Sequence, residues 1–170
     1  MKHFIIGICL FVGLTLVSHT AQAQGQELTL TEQDGLEKLL KEQGNGVLLI
    51  NFWATWCKPC VAEMPQIEAL HDQFNNEDLE IVLLSLDFEN QIGSHLLPFI
   101  EEHKLRSTVS FLDMGDPNKW IDLVEPQWSG AIPFTLILDS TREKRWFFEG
   151  ELEEGILAKV LTEEFKLDLL

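Results

Sequence analysis

Asn51-Phe52-Trp53-Ala54-Thr55-Trp56-Cys57-Lys58-Pro59-Cys60-Val61-Ala62-Glu63-Met64-Pro65 holds two cysteines separated by two residues, directly behind an apolar run. That run, Val47 to Trp53, is nearly continuous in apolar, β-branched and aromatic side chains and is bounded by turn residues. Such a pattern predicts a strand buried on both faces of a sheet. Beyond it, Val61, Met64, Ile67, Leu70, His71 and Phe74 recur at helical spacing from Pro59 onward. The spacing therefore places Cys57 at the N-terminus of a helix and Cys60 in its first turn, with Pro65 expected to kink the helix.

The chemistry follows from that placement. Residues i and i+3 in a first helical turn lie within the roughly 4.4–6.8 Å Cα separation that a disulfide needs, so dithiol and disulfide differ by a small rearrangement. The free amides and dipole at a helix start favour an anion, which makes Cys57 the expected nucleophilic thiolate and Cys60 the resolving thiol. Attack by Cys57 on a substrate disulfide, followed by Cys60 displacing the substrate thiol, would reduce the partner. Lys58-Pro59 contains no histidine to stabilise a thiolate further, which favours reductase over oxidase. Glu63, three residues after Cys60, is a candidate proton acceptor for that thiol, or simply an acid favoured by the helix dipole.

Working outward, Leu28 and Leu30 suggest a short strand and Thr31 a cap for a helix through Leu36, Leu39 and Leu40 that ends at Gly44-Asn45-Gly46. Leu79 to Leu86 reads as a second buried strand, Ile92 to His103 as an amphipathic helix and Thr108 to Leu112 as a third strand. This β-α-β-α-β alternation predicts parallel strands with crossover helices. A short helical piece from Asp116 through Trp120 and Val124 ends at Pro126. A hairpin (Phe134 to Leu138, Lys144 to Phe148) and a closing helix marked by Ile156, Val160, Leu161 and Phe165 complete the chain.

The 170 residues include 28 acidic and 12 basic side chains, a formal charge of −16, which argues against nucleic acid or an anionic membrane surface as principal ligand. Residues 1–23 pair Lys2 with an apolar stretch from Phe4 to Val17 and end in Ala21-Gln22-Ala23, the pattern of a cleaved secretory signal peptide. The stretch is shorter than the ~20 residues of a membrane span. Cys9 lies too early in it, without small residues before it, to be a lipidation site. Cleavage would leave residues 24–170 as one domain whose cysteines are Cys57 and Cys60, exported to an oxidising compartment. That pair excludes a disulfide framework. No second Cys or His pair stands at ligand spacing, so no metal and no bound cofactor is expected.

The stretch Asn51 to Pro65 resembles the active-site signature of TlpA/ResA-type thioredoxin-like thiol-disulfide oxidoreductases. The likeness continues more loosely through the strand ending at Asp87, the Gly130-Ala131-Ile132-Pro133 loop and the Thr135-to-Asp139 strand. It implies an α/β thioredoxin-like fold, a central mixed β-sheet flanked by helices with the CxxC at a helix N-terminus. It also implies a cis peptide before Pro133 opposite the cysteines, and proton handling by Glu63. Extended backbone at Ile132 could then pair with a substrate strand. Trp56, Pro59, Ile132 and Pro133 form the expected substrate-contact set, with Trp128 a candidate for the same groove and Trp53 a core residue. Asn51 stands where thioredoxin has a buried aspartate, so acid–base duty must fall elsewhere. The resemblance further implies protein disulfides as substrates, a DsbD- or CcdA-like membrane electron donor and a place in cytochrome c maturation, and a monomer is expected.

Three other activities compete. A disulfide-forming oxidase on the same fold would need a much higher reduction potential. A Sco-like copper chaperone would use CxxxC and a downstream histidine, but the spacing here is two and no histidine follows His103. A thiol peroxidase would need a T-x-x-C element with its proline, absent around Thr55. His71, His95 and His103 read as surface or satisfied core residues, and Glu149, Glu151, Glu153 and Glu154 as a solvated, acid-capped helix start.

Overall fold

A computed structural model describes residues 29–41, 46–113, 115–139, 141 and 143–170. The expected signal segment, residues 1–23, and the Gly44-Asn45 turn lie outside the described residues. Six strands, β1 (Thr29–Thr31), β2 (Val47–Trp53), β3 (Leu79–Ser85), β4 (Thr108–Leu112), β5 (Phe134–Asp139) and β6 (Lys144–Glu149), form one sheet in the order β1-β4-β3-β2-β5-β6. The first four run parallel to one another, whereas β5 lies antiparallel to β2 and to β6. The sheet is therefore mixed: the β-α-β-α-β part supplies parallel strands, and the hairpin returns along the other side of β2.

All seven residues of β2 are buried. Alternation along the strand sends Val47, Leu49 and Trp53 to one face, where they pack with Met64, Ile67, Leu70, Ile100, Leu157 and Leu161. These partners come from α2 (Lys58–Glu68), the turn that follows it, α3 (Leu97–His103) and α5 (Ile156–Glu163). Leu48, Ile50 and Phe52 go to the other face, against Leu36 of α1 (Gln33–Lys41), Trp120, and Val124 of α4 (Ile121–Val124). Phe52 sits among Trp120, Trp128 and Phe134, with ring centroids 6.1, 4.8 and 5.9 Å away. Asn51 falls on the first face, the side that meets α2.

Several local expectations change in the folded chain. The Thr31 hydroxyl belongs to β1 and bonds to the Ser110 hydroxyl across the sheet, so it does not cap α1. Pro65 is accommodated inside α2, which tightens into a 3-10 turn over Ala69–Asp72 instead of continuing to Phe74. The helix expected from Ile92 begins as a π-helical turn, Ile92–Leu96, and becomes α-helical only at Leu97. Pro98 supplies the reason: it has no amide to donate and its ring would press on the Ser94 carbonyl in a regular turn. Trp128, placed by sequence beside the substrate groove, is buried in the Phe52 cluster with its indole N–H donated to Ala131 O at 2.8 Å. Its size and its place behind the loop make it a support for Ala131-Ile132-Pro133.

Because Phe52 is fully buried and touches three aromatic rings, Phe52→Ala should cost about 3–5 kcal/mol of unfolding free energy. Urea denaturation monitored by tryptophan fluorescence measures this, and a loss under about 1 kcal/mol would contradict the described packing.

Candidate active site: a redox pair at the start of α2

The chain leaves β2 at Trp53 and reaches Cys57 through a loop tied to the end of β3. Leu86 N donates to Trp53 O at 2.7 Å. Buried Asp87 accepts from Thr55 N at 3.1 and 3.2 Å and from the Thr55 hydroxyl at 2.5 Å, and its other contact is the Ser85 hydroxyl at 2.8 Å. One carboxylate thus holds the turn that presents the cysteines. Composition gave no sign of this role, because the contact joins residues 32 positions apart.

Cys57 is the N-cap of α2 and is joined to Cys60 in a disulfide with Cα atoms 5.3 Å apart. The Cys60 amide donates to Cys57 Sγ at 3.3 Å, the side-chain-to-amide contact that a helix start offers. Cys57 is 6% exposed and Cys60 fully buried. Trp56 projects at 52% exposure and stacks on Phe88, itself 63% exposed, with centroids 6.3 Å apart. Phe88 escaped the sequence reading because it follows β3, and only the sheet brings it beside the cysteine loop. Pro59 is half-buried in the first turn of α2.

The other wall of the site is the start of β5. Phe52 pairs with Phe134, so Trp53 and Pro133 emerge at the same end of the sheet. The Ile132–Pro133 peptide is cis. Pro133 is buried and Ile132 half-buried, with Ile132 packed against the cluster that contains both cysteines. Among the described residues, no hydrogen bond engages the Ile132 N–H or C=O. The loop before it is clamped by Glu149, which accepts from Ser129 N at 2.8 Å and from the Ser129 hydroxyl. Glu149 therefore does not cap a helix as its acidic neighbours suggested. Instead α5 starts behind Gly155 without a side-chain cap.

Glu63 is only 2% exposed. Its two carboxyl oxygens are met by Asn51 Nδ2 at 2.9 Å and by Leu152 N at 3.2 Å. Asn51 Nδ2 also reaches Thr135 Oγ1 at 3.0 Å. Burial pushes the Glu63 carboxyl up from 4.5 to about 7, the Asn51 and Leu152 hydrogen bonds hold it down in part, and nearby Glu151 raises it again. A cleft of about 590 Å³ between α2 and residues 151–158, lined by Glu63, Gln66, Glu151 and Glu154 among others, lies against this carboxyl. Gln66 Nε2 closes the bracket by donating to Leu152 O at 3.2 Å. The histidines lie elsewhere: His71 spans Asn76 and Ser107 at 3.0 Å each, His95 bonds Ser94, and His103 stacks on Phe99. The described residues contain no cluster of His, Cys, Asp and Glu suited to a metal ion.

A CxxC pair at a helix start, facing a cis-proline at one end of such a sheet, defines a thioredoxin-fold thiol-disulfide oxidoreductase. Comparison with known proteins narrows this. The profile of the AhpC/TSA family matches residues 21–146, and the chain belongs to that family. It is similar to thiol-disulfide oxidoreductase ResA of Oceanobacillus iheyensis, 46% identical over 128 residues that cover 72% of this chain and 60% of that protein. ResA of Geobacillus kaustophilus is 39% identical over 78% of this chain and 73% of its own length, and ResA of Bacillus cereus 26% identical over 95% and 84%. The fold matches that of a thioredoxin-related protein from Neisseria meningitidis serogroup B (TM-score 0.60, 22% identity, 71% of this chain and 85% of that one). StoA from Bacillus subtilis shares it at a TM-score of 0.51 with 20% identity, over 69% of this chain and 83% of its own. The protein is a ResA-like thiol-disulfide oxidoreductase.

The raised Glu63 value carries a stability consequence with a definite sign. Between pH 4.5 and about 7 the folded state keeps a proton on Glu63 that the unfolded chain has lost. Stability from this group is thus complete below about pH 4.5 and declines as pH rises through about 7. The expected difference is roughly 3 kcal/mol across the window. Urea titrations of the oxidised protein and of Glu63→Gln should diverge in this way, and parallel pH curves would show that Glu63 titrates normally.

Proposed function

We propose that the protein is an exported reductase of protein disulfides, with Cys57 as nucleophile, Cys60 as resolving thiol and Glu63 as the base that serves Cys60. The observation carrying this reading is the asymmetry of the pair. The sulfur at the rim accepts a helix-start amide, and its partner is sealed behind it, one helical turn from a buried carboxyl. In the reduced protein the Cys57 thiolate attacks a substrate disulfide, one substrate sulfur leaves as thiolate, and a mixed disulfide forms. Glu63 then takes the Cys60 proton, and the Cys60 thiolate attacks Cys57 Sγ and expels the second substrate thiolate. Two electrons pass from the dithiol to the substrate, and the Cys57–Cys60 bond is restored.

Substrate would lie along the open Ile132 backbone as an added strand, held in register beside Cys57 by Pro133, with Trp56 and Pro59 flanking the reacting sulfur. Steady reduction in an oxidising compartment needs electrons from elsewhere, for which a DsbD- or CcdA-like membrane donor fits. Residues 1–23 serve in this reading as the cleaved export signal. Similarity to ResA and the CxxC pair support cytochrome c maturation as the setting. The absence of histidine between the cysteines favours reduction over the oxidase alternative.

The decisive experiment is the reduction potential of the Cys57–Cys60 couple, by thiol trapping in defined redox buffers. A value near thioredoxin's roughly −270 mV is expected, whereas one near DsbA's roughly −120 mV would turn the reading to oxidase. Cys60→Ala should accumulate mixed disulfides through Cys57 and Cys57→Ala should not, so equal trapping by both would reverse or remove the role assignment. Glu63→Gln should flatten the rise of the exchange rate through about pH 7, and an unaltered profile would exclude Glu63 as the base.

A further inference from the structure

Each Glu63 carboxyl oxygen faces an N–H donor, Asn51 Nδ2 at 2.9 Å and Leu152 N at 3.2 Å. This set suits a carboxylate, which only accepts. A protonated carboxyl has an O–H to donate, and neither of these two partners accepts it. The Leu152 amide is backbone and cannot invert. The Asn51 side chain can, because a half turn about Cβ–Cγ exchanges Nδ2 and Oδ1 without moving the rest of the residue.

On the side of Glu63 and Thr135, Asn51 finds partners in either orientation. The residue is fully buried, Oδ1 has no hydrogen-bond partner among the described residues, and Nδ2 supplies both Glu63 and Thr135 Oγ1. Thr135, 1% exposed, has a hydroxyl that accepts from Nδ2 or donates to Oδ1 at the same position. After a half turn, Oδ1 would accept from Glu63 O–H and Thr135 O–H together. An aspartate at this position would add a second titrating acid, whereas the amide answers a proton without taking it.

We propose that Asn51 is a two-position positioning residue, donating Nδ2 to the Glu63 carboxylate and turning Oδ1 towards Glu63 once that carboxyl holds the Cys60 proton. The turn rests on the base role proposed above and extends it: Thr135, two residues after cis-Pro133 on β5, connects the proton state of Glu63 to the strand beside the substrate. The titratable groups around Glu63 are Glu151 and Glu154 across the cleft, and Cys60 on its own helix joins them only when the disulfide is reduced. From β2 it meets the neutral Asn51, which in turn is bonded to the neutral Thr135 of β5.

The test is an NMR pH titration of the full oxidised chain, following the Asn51 side-chain amide and the Glu63 δ-carbon. The two signals should move with one shared midpoint, and the Asn51 shift should vanish in Glu63→Gln. Asn51→Leu, which removes the donor to the charged form, should raise the Glu63 midpoint by about one to two pH units. A Glu63 carbon that titrates while the Asn51 amide stays unmoved would overturn the inference and leave the base role standing, with water in the cleft as the acceptor. Coupled titration alongside an unchanged Glu63→Gln exchange profile would instead sink the base role and keep the turn itself. A Glu63 carbon with an ordinary glutamate midpoint would overturn both.

Discussion

Complete burial of β2 governs the rest of this structure. A strand with no exposed residue needs cover on both faces, and α2, α3 and α5 supply one layer while α1, α4 and the tryptophan cluster supply the other. The same burial gives Asn51, the one polar residue of β2, no recourse to water, so its partners must be protein groups. Glu63 from α2 and Thr135 from β5 provide them. The carboxyl next to the cysteines is in turn denied solvent by the helix it belongs to. Its raised proton affinity is thus a consequence of how the core closes over β2.

Two further carboxylates hold the walls of the site. Asp87 fixes the loop before Cys57, and Glu149 fixes the loop before Pro133. Hydrogen bonds to a charged acceptor contribute about 1.5–3 kcal/mol each, enough to keep short loops in a single geometry. Some of the chain's acidity therefore positions its chemistry rather than serving solubility. Between these anchored walls, the Trp56–Phe88 pair is exposed and, among the described residues, the Ile132 backbone makes no hydrogen bond.

Family membership and site chemistry answer different questions. A match to the AhpC/TSA family covers most of the described fold, yet a fold accommodates many reactions and the site decides among them. Here the deciding feature is a paired CxxC with its second sulfur buried. That arrangement suits an internal disulfide that opens and closes. Similarity to the ResA thiol-disulfide oxidoreductases agrees with it.

Sequence alone determined the features that depend on local pattern. The apolar run Val47 to Trp53 marked the central strand, the i, i+3 cysteines marked a redox pair at a helix start, and the hairpin of β5 and β6 was legible from its turn. These follow from periodicity and covalent spacing, which fold context does not alter. Only the tertiary structure decided which distant side chains meet. Trp128 left the groove for the core, Thr31 gave its hydroxyl to Ser110, and Glu149 became a loop clamp. Phe88 and Asp87 joined the cysteine loop, and Leu152 and Asn51 closed around Glu63. Each of these contacts spans many residues along the chain, and its strength depends on desolvation by neighbours that no local window contains.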